Sequence, residues 1–461
     1  MRTPPSLTTL PTELQRLICE TVPDRPTLRA LNITNRHFHN VTEAIIWKHI
    51  TIPLPLRTSP DPPPHRSIGG HVRSICITVG YGEDHREEEH RSLGTMQEAK
   101  RLIEGIRLCP KLRRLEFFPG GEESETARIL FREFERSMTA GELDFGKLEE
   151  CAFHGINRGL AGFIDQITKR DPSPASKCAL RSIEMITQDD PDLRLDPYEP
   201  SPESDWSELQ SIHMPHMDSI TPFLRLTLLK DGAVSKVRKI TTSIMARSNH
   251  FSEFLRAAMI QDPKGGERVE TFRMLSLDSK SLWISELIDV LAGLNSLFPA
   301  ISTLGIGRWG TNSEPVWPID WDCGEEGRDA MIAEGFDWPD NEASLWMLTE
   351  RACLSLGEFK GLGTVICSYS WVPAMVKRSG PGRLSLEERR REELAAVMML
   401  AKHCTSLCDI FIDRRGWHYW KRSHHVHWTK EMGSRSSDGA DLWKEVRWYS
   451  QEHLTGYINS L

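Results

Sequence analysis

The sequence predicts an α/β protein in two parts: a small N-terminal unit of three helices, then an irregular α/β solenoid of strand–helix repeats. Three observations predict it. The first fifty residues show helical periodicity punctuated by prolines. Beyond residue 70 a short run of the form Leu/Val-x-x-Leu/Ile-x-apolar recurs along the chain. Amphipathic helical stretches lie between those runs.

Within residues 8–52, Pro11 suits a helix start, and Thr12 with Gln15 has capping-box spacing. Leu10, Leu14, Leu17, Ile18 and Val22 then fall on one helical face. Pro23 to Pro26 breaks that helix. A second begins near Pro26 with Leu28 and Leu31 on one side. A third runs from about Arg36 to His49, with Phe38, Val41, Ile45 and Ile46 apolar and Trp47 near its end. Three short helices bury little, so a surplus of apolar surface meets either the next domain, as a helical cap, or a partner.

Leu10-Pro11-x-Glu13-Leu14-x-x-x-Ile18, Leu28-x-x-Leu31-x-Ile33, Arg36-x-Phe38 and Ile46-Trp47-x-x-Ile50, in that order, resemble the F-box motif in the form found at the N-termini of many fungal proteins. The resemblance covers about a tenth of the chain. It departs from the family at Asn35, often Cys there, at Phe38, commonly Trp, and at Cys19, usually aromatic or aliphatic. It implies a docking module for a Skp-type adaptor in a cullin complex, with Leu10, Pro11, Leu14, Ile18, Leu28, Leu31 and Trp47 supplying the apolar adaptor-binding contact.

Residues 53–70 hold Pro53, Pro55, Pro60, Pro62, Pro63 and Pro64, a density that resists both helix and sheet and predicts a linker. Residues 71–428 carry the repeating run, in Val72–Ile77, Leu112–Phe117, Leu148–Phe153, Leu180–Met185, Leu209–Met214, Val237–Ile240, Val269–Met274, Ile301–Ile306, Leu362–Ile366 and Leu407–Ile412. Helices are expected between them, among them 96–108, 126–138, 160–167, 252–260, 282–294 and 386–403. A strand followed by a helix cannot bury both faces alone, so neighbours must stack. Leu108-Cys109-Pro110-Lys111-Leu112 and His403-Cys404-Thr405-Ser406-Leu407 resemble the helix-to-strand joint of degenerate leucine-rich repeats. That resemblance implies a substrate-binding array with a curved parallel sheet inside and helices outside; the plainer alternative is an α/β domain with irregular loops.

Two insertions interrupt the pattern. Glu83 to His90 is a charge run expected to be a solvated loop. Residues 310–342 hold ten acidic residues, one basic residue and Trp317, Trp321 and Trp338, which either pack back on the array or meet a basic partner segment. The C-terminal stretch 429–461 is expected to cap the last repeat. Trp417, Tyr419, Trp420, Trp428, Trp443, Trp448 and Tyr449, in and just before it, are large enough to cover an open end or to line a ligand cage.

Composition narrows the function. The 461 residues carry 57 Lys+Arg against 65 Asp+Glu, a net charge of −8, which argues against a nucleic-acid partner. No apolar run approaches the roughly 20 residues of a membrane span, and the first residues lack the apolar region of a secretory signal. The 10 cysteines are scattered, with Cys76, Cys109 and Cys367 inside apolar runs, which suits a reducing compartment, cytoplasmic or nuclear.

Chemical motifs are few. Gly305-Ile306-Gly307-Arg308-Trp309-Gly310 has dinucleotide-site spacing, but Pro315 and Pro318 follow where a helix must open, so no cofactor is expected. Cys404 and Cys408 with His424, His425 and His427 suggest zinc only weakly, because Leu407–Ile412 reads as a strand that would part the cysteines. What the two resemblances imply is a non-enzymatic substrate-recognition subunit of a ubiquitin ligase, binding adaptor and client. The alternatives are a scaffold acting outside ubiquitination and a metal-dependent enzyme using Cys404–His427.

Overall fold

The computed structural model describes residues 10–22, 25–34, 36–54, 64–79, 88–118, 125–154, 160–169, 179–186, 204–216, 236–244, 268–274, 284–306, 342–368, 385–413, 425–435, 441–447, 454 and 456–458. The chain divides into two compact units of mixed α/β structure, residues 1–189 with 200–208, and residues 190–199 with 209–461.

The first unit opens with α1 (Thr12–Glu20), α2 (Arg25–Thr34) and α3 (Arg36–Ile46). Cys19, Leu28, Val41 and Ile46 form their core, with Val22, Ile45 and Trp47 packed on its margin. Five strands follow: β1 (His49–Leu54), β2 (Ser74–Val79), β3 (Arg114–Phe118), β4 (Glu150–His154) and β5 (Ser182–Ile186). Each pairs in parallel with the next along the chain. Parallel neighbours need a crossover, and α4 (Arg66–Gly69), α5 (Glu88–Arg107), α6 (Glu125–Thr139) and α7 (Leu160–Thr168) lie in those crossovers. Phe117 of β3 and Phe153 of β4 stack at 5.6 Å, and Phe131, Phe134 and Phe163 of the helices close over Phe117 at 5.0–5.9 Å.

The second unit repeats the scheme. β6 (Ser211–His216), β7 (Lys239–Ile244), β8 (Thr271–Met274), β9 (Thr303–Ile306), β10 (Thr364–Ser368) and β11 (Asp409–Asp413) are parallel in chain order. Here α8 (Ile284–Leu297), α9 (Glu342–Gly357) and α10 (Leu386–His403) alternate with the strands. Then β12 (His425–Arg435) and β13 (Asp441–Val446) pair antiparallel and end the sheet.

One local device recurs in both units. The first apolar residue of each run sits two positions before its strand and is buried: Val72, Leu112, Leu148 and Leu180 in the first unit, and Leu209, Val237, Val269, Ile301, Leu362 and Leu407 in the second. The backbone amides of the next two residues both donate to one carbonyl of the preceding turn. Arg113 and Arg114 donate to Arg73, Glu149 and Glu150 to Arg113, and Ser302 and Thr303 to Glu270. Stacked turns thereby satisfy each other's polar backbone. Exposed ion pairs, Arg113–Glu149 at 2.8 Å and Arg238–Glu270 at 3.2 Å, follow the same lane.

Three expectations are corrected. Both ends of the expected linker 53–70 are structured: Pro53 and Leu54 belong to β1 and Arg66–Gly69 form α4; β1 stands at the sheet's edge, where a missing N–H breaks no ladder. The charge run does not stay loop to its end, since Glu88, Glu89 and His90 open α5. β12 crosses the expected array–cap boundary at 428, so the antiparallel closure begins at His425. Within it Trp428 and Trp443 are buried, and Glu445 meets Arg390 of α10 at 2.8 Å. The expected helix 252–260, residues 310–341 and Trp417, Tyr419, Trp420, Trp448 and Tyr449 lie outside the described residues. Among the described residues no helix is long and apolar enough to cross a membrane.

Candidate functional site

The apolar stripe of α1 faces outward. Leu14 is 47 % exposed, Leu17 58 % and Ile18 40 %, while the opposite face turns Gln15 and Cys19 inward at 1 % each. Gln15 is satisfied there: its Nε2 donates to the Leu10 carbonyl at 2.7 Å. Cys19 reaches the helical core, and burial pushes its thiol up. An amphipathic helix ordinarily hides its apolar face. This one hides a glutamine and a cysteine and leaves three large aliphatic side chains in water.

The other candidate contact residues divide. Leu10 and Leu31 are half-buried and Pro11 is exposed. Leu28 is 6 % exposed inside the core, so in this structure it holds the helices together and offers no surface. Trp47 packs on the core's margin with Arg25 and Arg29 over its ring at 5.5 and 6.0 Å. Leu17, which the stripe contains but the family resemblance does not single out, is the most exposed residue of the ridge. Ile33 of α2 is 85 % exposed.

Strand alternation gives the strands of each unit a second candidate surface, opposite their buried apolar face. In the first unit one register row reads Thr51, Cys76, Glu116, Ala152, Glu184. His154 meets Glu116 at 2.9 Å and stacks on Phe118 with centroids 3.8 Å apart. The His154 hydrogen bond, aided by Arg114, holds the Glu116 carboxyl below the usual carboxylate range. Burial and Glu116 push the Cys76 thiol up to about 11, so it is protonated at neutral pH and a poor nucleophile.

In the second unit the corresponding row reads His213, Thr241, Arg273, Gly305, Ile366, Phe411, His427. Gly305 has a packing reason: a Cβ there would stand 2.9 Å from Cγ of the buried Arg273. The zinc candidates separate. Cys404 is buried at the end of α10 and Cys408 is exposed before β11. His427 meets Asp409 at 2.6 Å and stacks on Phe411 at 4.2 Å. His424 lies outside the described residues, among which no group of three or more His, Cys, Asp or Glu is placed to hold a metal. These open faces escaped the sequence because their residues occupy only alternate strand positions; the register alone joins them.

Comparison with known families finds no family model that matches the chain, and comparison with curated proteins finds no match.

Proposed function

We propose that the chain is a substrate-recognition subunit of a Skp–cullin–F-box ubiquitin ligase. In this reading α1–α3 form an F-box that docks a Skp-type adaptor, and the strand–helix repeats form a leucine-rich-repeat-like solenoid that presents its open face to a client protein. The protein would act in the cytoplasm or nucleus. Bond chemistry would belong to the ligase's other subunits. This chain would contribute proximity, raising the effective concentration of client lysines beside a charged conjugating enzyme.

The observation that carries the reading is the exposed ridge Leu14, Leu17 and Ile18 on a helix whose inward face holds Gln15 and Cys19. Burying a large aliphatic side chain contributes about 1.5–3 kcal/mol. These three are already about half covered, so a partner groove would gain roughly 2–4 kcal/mol from them alone. The experiment is co-purification of the full chain with a Skp-type adaptor. Wild type should retain adaptor, and Leu14→Asp/Ile18→Asp should not. Equal retention by both overturns the docking assignment.

A further inference from the structure

Leu454 and Gly456 to Ile458 lie on the open face of the second unit's sheet. Leu454 and Ile458 are 2 % and 1 % exposed and form one apolar cluster with Ile366 of β10 and Phe411 of β11. The Tyr457 ring lies 5.9 Å from Phe411 and 6.2 Å from His427. Arg273 of β8 donates from Nη1 to the Ile458 carbonyl at 3.2 Å. Arg273, Gly305, Ile366, Phe411 and His427 are successive members of one register row. The row therefore holds Leu454 and Gly456 to Ile458, helical where they are described, through two aliphatic side chains four positions apart, an aromatic ring and one carbonyl. Gly305 leaves the space in which Arg273 crosses the sheet.

Leu454 and Ile458 are held by their contacts with that face, since packing of an amphipathic face and not intrinsic propensity supplies most helical stability in proteins. The cover is also partial, since Tyr457 is 38 % exposed and a Cβ at Gly456 would meet nothing within 4 Å. Without Leu454 and Ile458, Phe411 and Ile366 would form an apolar patch at the centre of a polar-edged face. Such a patch is the signature of a protein-binding site.

We propose that this face recognises a short helical segment of a client protein, with aliphatic residues four apart and a neighbouring aromatic, and that the C-terminal segment occupies it in cis until a client displaces it. The proposal rests on the reading that the repeats present their open face to a client, and it names the chemistry of that client. A tethered segment acts at an effective concentration of about 1 mM, so an intrinsic affinity of about 10 μM would be masked roughly a hundredfold.

The test is fluorescence-polarisation titration of a labelled peptide spanning residues 451–461 with full-length chain. Leu454→Asp/Ile458→Asp, which expels the C-terminal segment, should bind the peptide at least tenfold more tightly than wild type. Adding Phe411→Ala to that variant should remove the gain. An equally folded variant with no gain overturns the proposal. So does loss of cooperative melting in both this variant and the milder Leu454→Ala/Ile458→Ala, because the segment is then a fixed part of the core. Adaptor capture by the same proteins reads the helical unit separately, and the peptide titration decides the recognition site whichever way capture falls.

Discussion

Replacing Gly305 by alanine sets two effects against each other. A Gly→Ala change restricts the unfolded chain and stabilises by about 0.4–1 kcal/mol where the native backbone accepts it. Here the new Cβ would stand 2.9 Å from Arg273 Cγ, 3.0 Å from its Cβ and 3.2 Å from its Cα. Cγ can swing aside. Cα cannot, because Arg273 and Gly305 are register partners in adjacent parallel strands. Overpacking of this kind costs about 1–3 kcal/mol. Displacing the guanidinium also strains the 3.2 Å bond to Ile458, and a hydrogen bond from a charged donor contributes about 1.5–3 kcal/mol. The overpacking wins, and the expected net loss is about 1–2 kcal/mol. Urea unfolding followed by circular dichroism measures it as a lower midpoint with an unchanged slope. A Gly305→Ala chain at least as stable as wild type would refute the packing account and reopen the question of what the glycine is for.

Two further predictions concern titrating groups. Because the folded state holds the Glu116 carboxyl below its unfolded value, its stabilisation is present above the unfolded value and fades as pH falls through the folded one. Glu116→Gln should therefore lower the urea midpoint at pH 7, by an amount that shrinks as pH falls below the ordinary carboxylate range; a difference that stays constant as the pH falls contradicts the pairing with His154. Among the described cysteines, Cys408 is exposed, whereas burial pushes Cys109 and Cys353 up to about 12. Brief iodoacetamide treatment of native chain should label Cys408 at least tenfold faster than either, by peptide mass spectrometry, and equal labelling refutes the burial.

How much was legible depended on whether one segment carried its own reason. The strands of the repeat were legible because each leading residue, Val72 or Leu112 or Ile301, marks a buried turn two positions before the strand. The helix 386–403 was legible from its amphipathic spacing, and the structure adds a capping box, Ser385 with Glu388, that opens it. β1 was not, because Pro53 signals a breaker unless the strand is known to lie at an edge. The reach of α5 back to Glu88 was hidden because a run of charged residues suits a helix as readily as a loop.

The candidate surfaces divide the same way. The stripe Leu14, Leu17 and Ile18 could be read from spacing, but its outward direction depends on Gln15 finding the Leu10 carbonyl inside. The burial of Leu28 followed from the same packing and was invisible to the motif. The cluster of Leu454 and Ile458 with Phe411 joins segments more than forty residues apart and has no local signal. Gly305 has phosphate-loop spacing that Pro315 and Pro318 already rule out, and its packing against Arg273 has no signal in the sequence.

The central claim is that the ridge on α1 is a surface another protein covers. Hydrogen exchange of the full chain, alone and with purified Skp-type adaptor, tests it most directly. The account predicts slowed exchange in peptides covering residues 10–22 when adaptor is present, lost in Leu14→Asp/Ile18→Asp. Unchanged exchange there, with protection confined to the strand repeats, would contradict it.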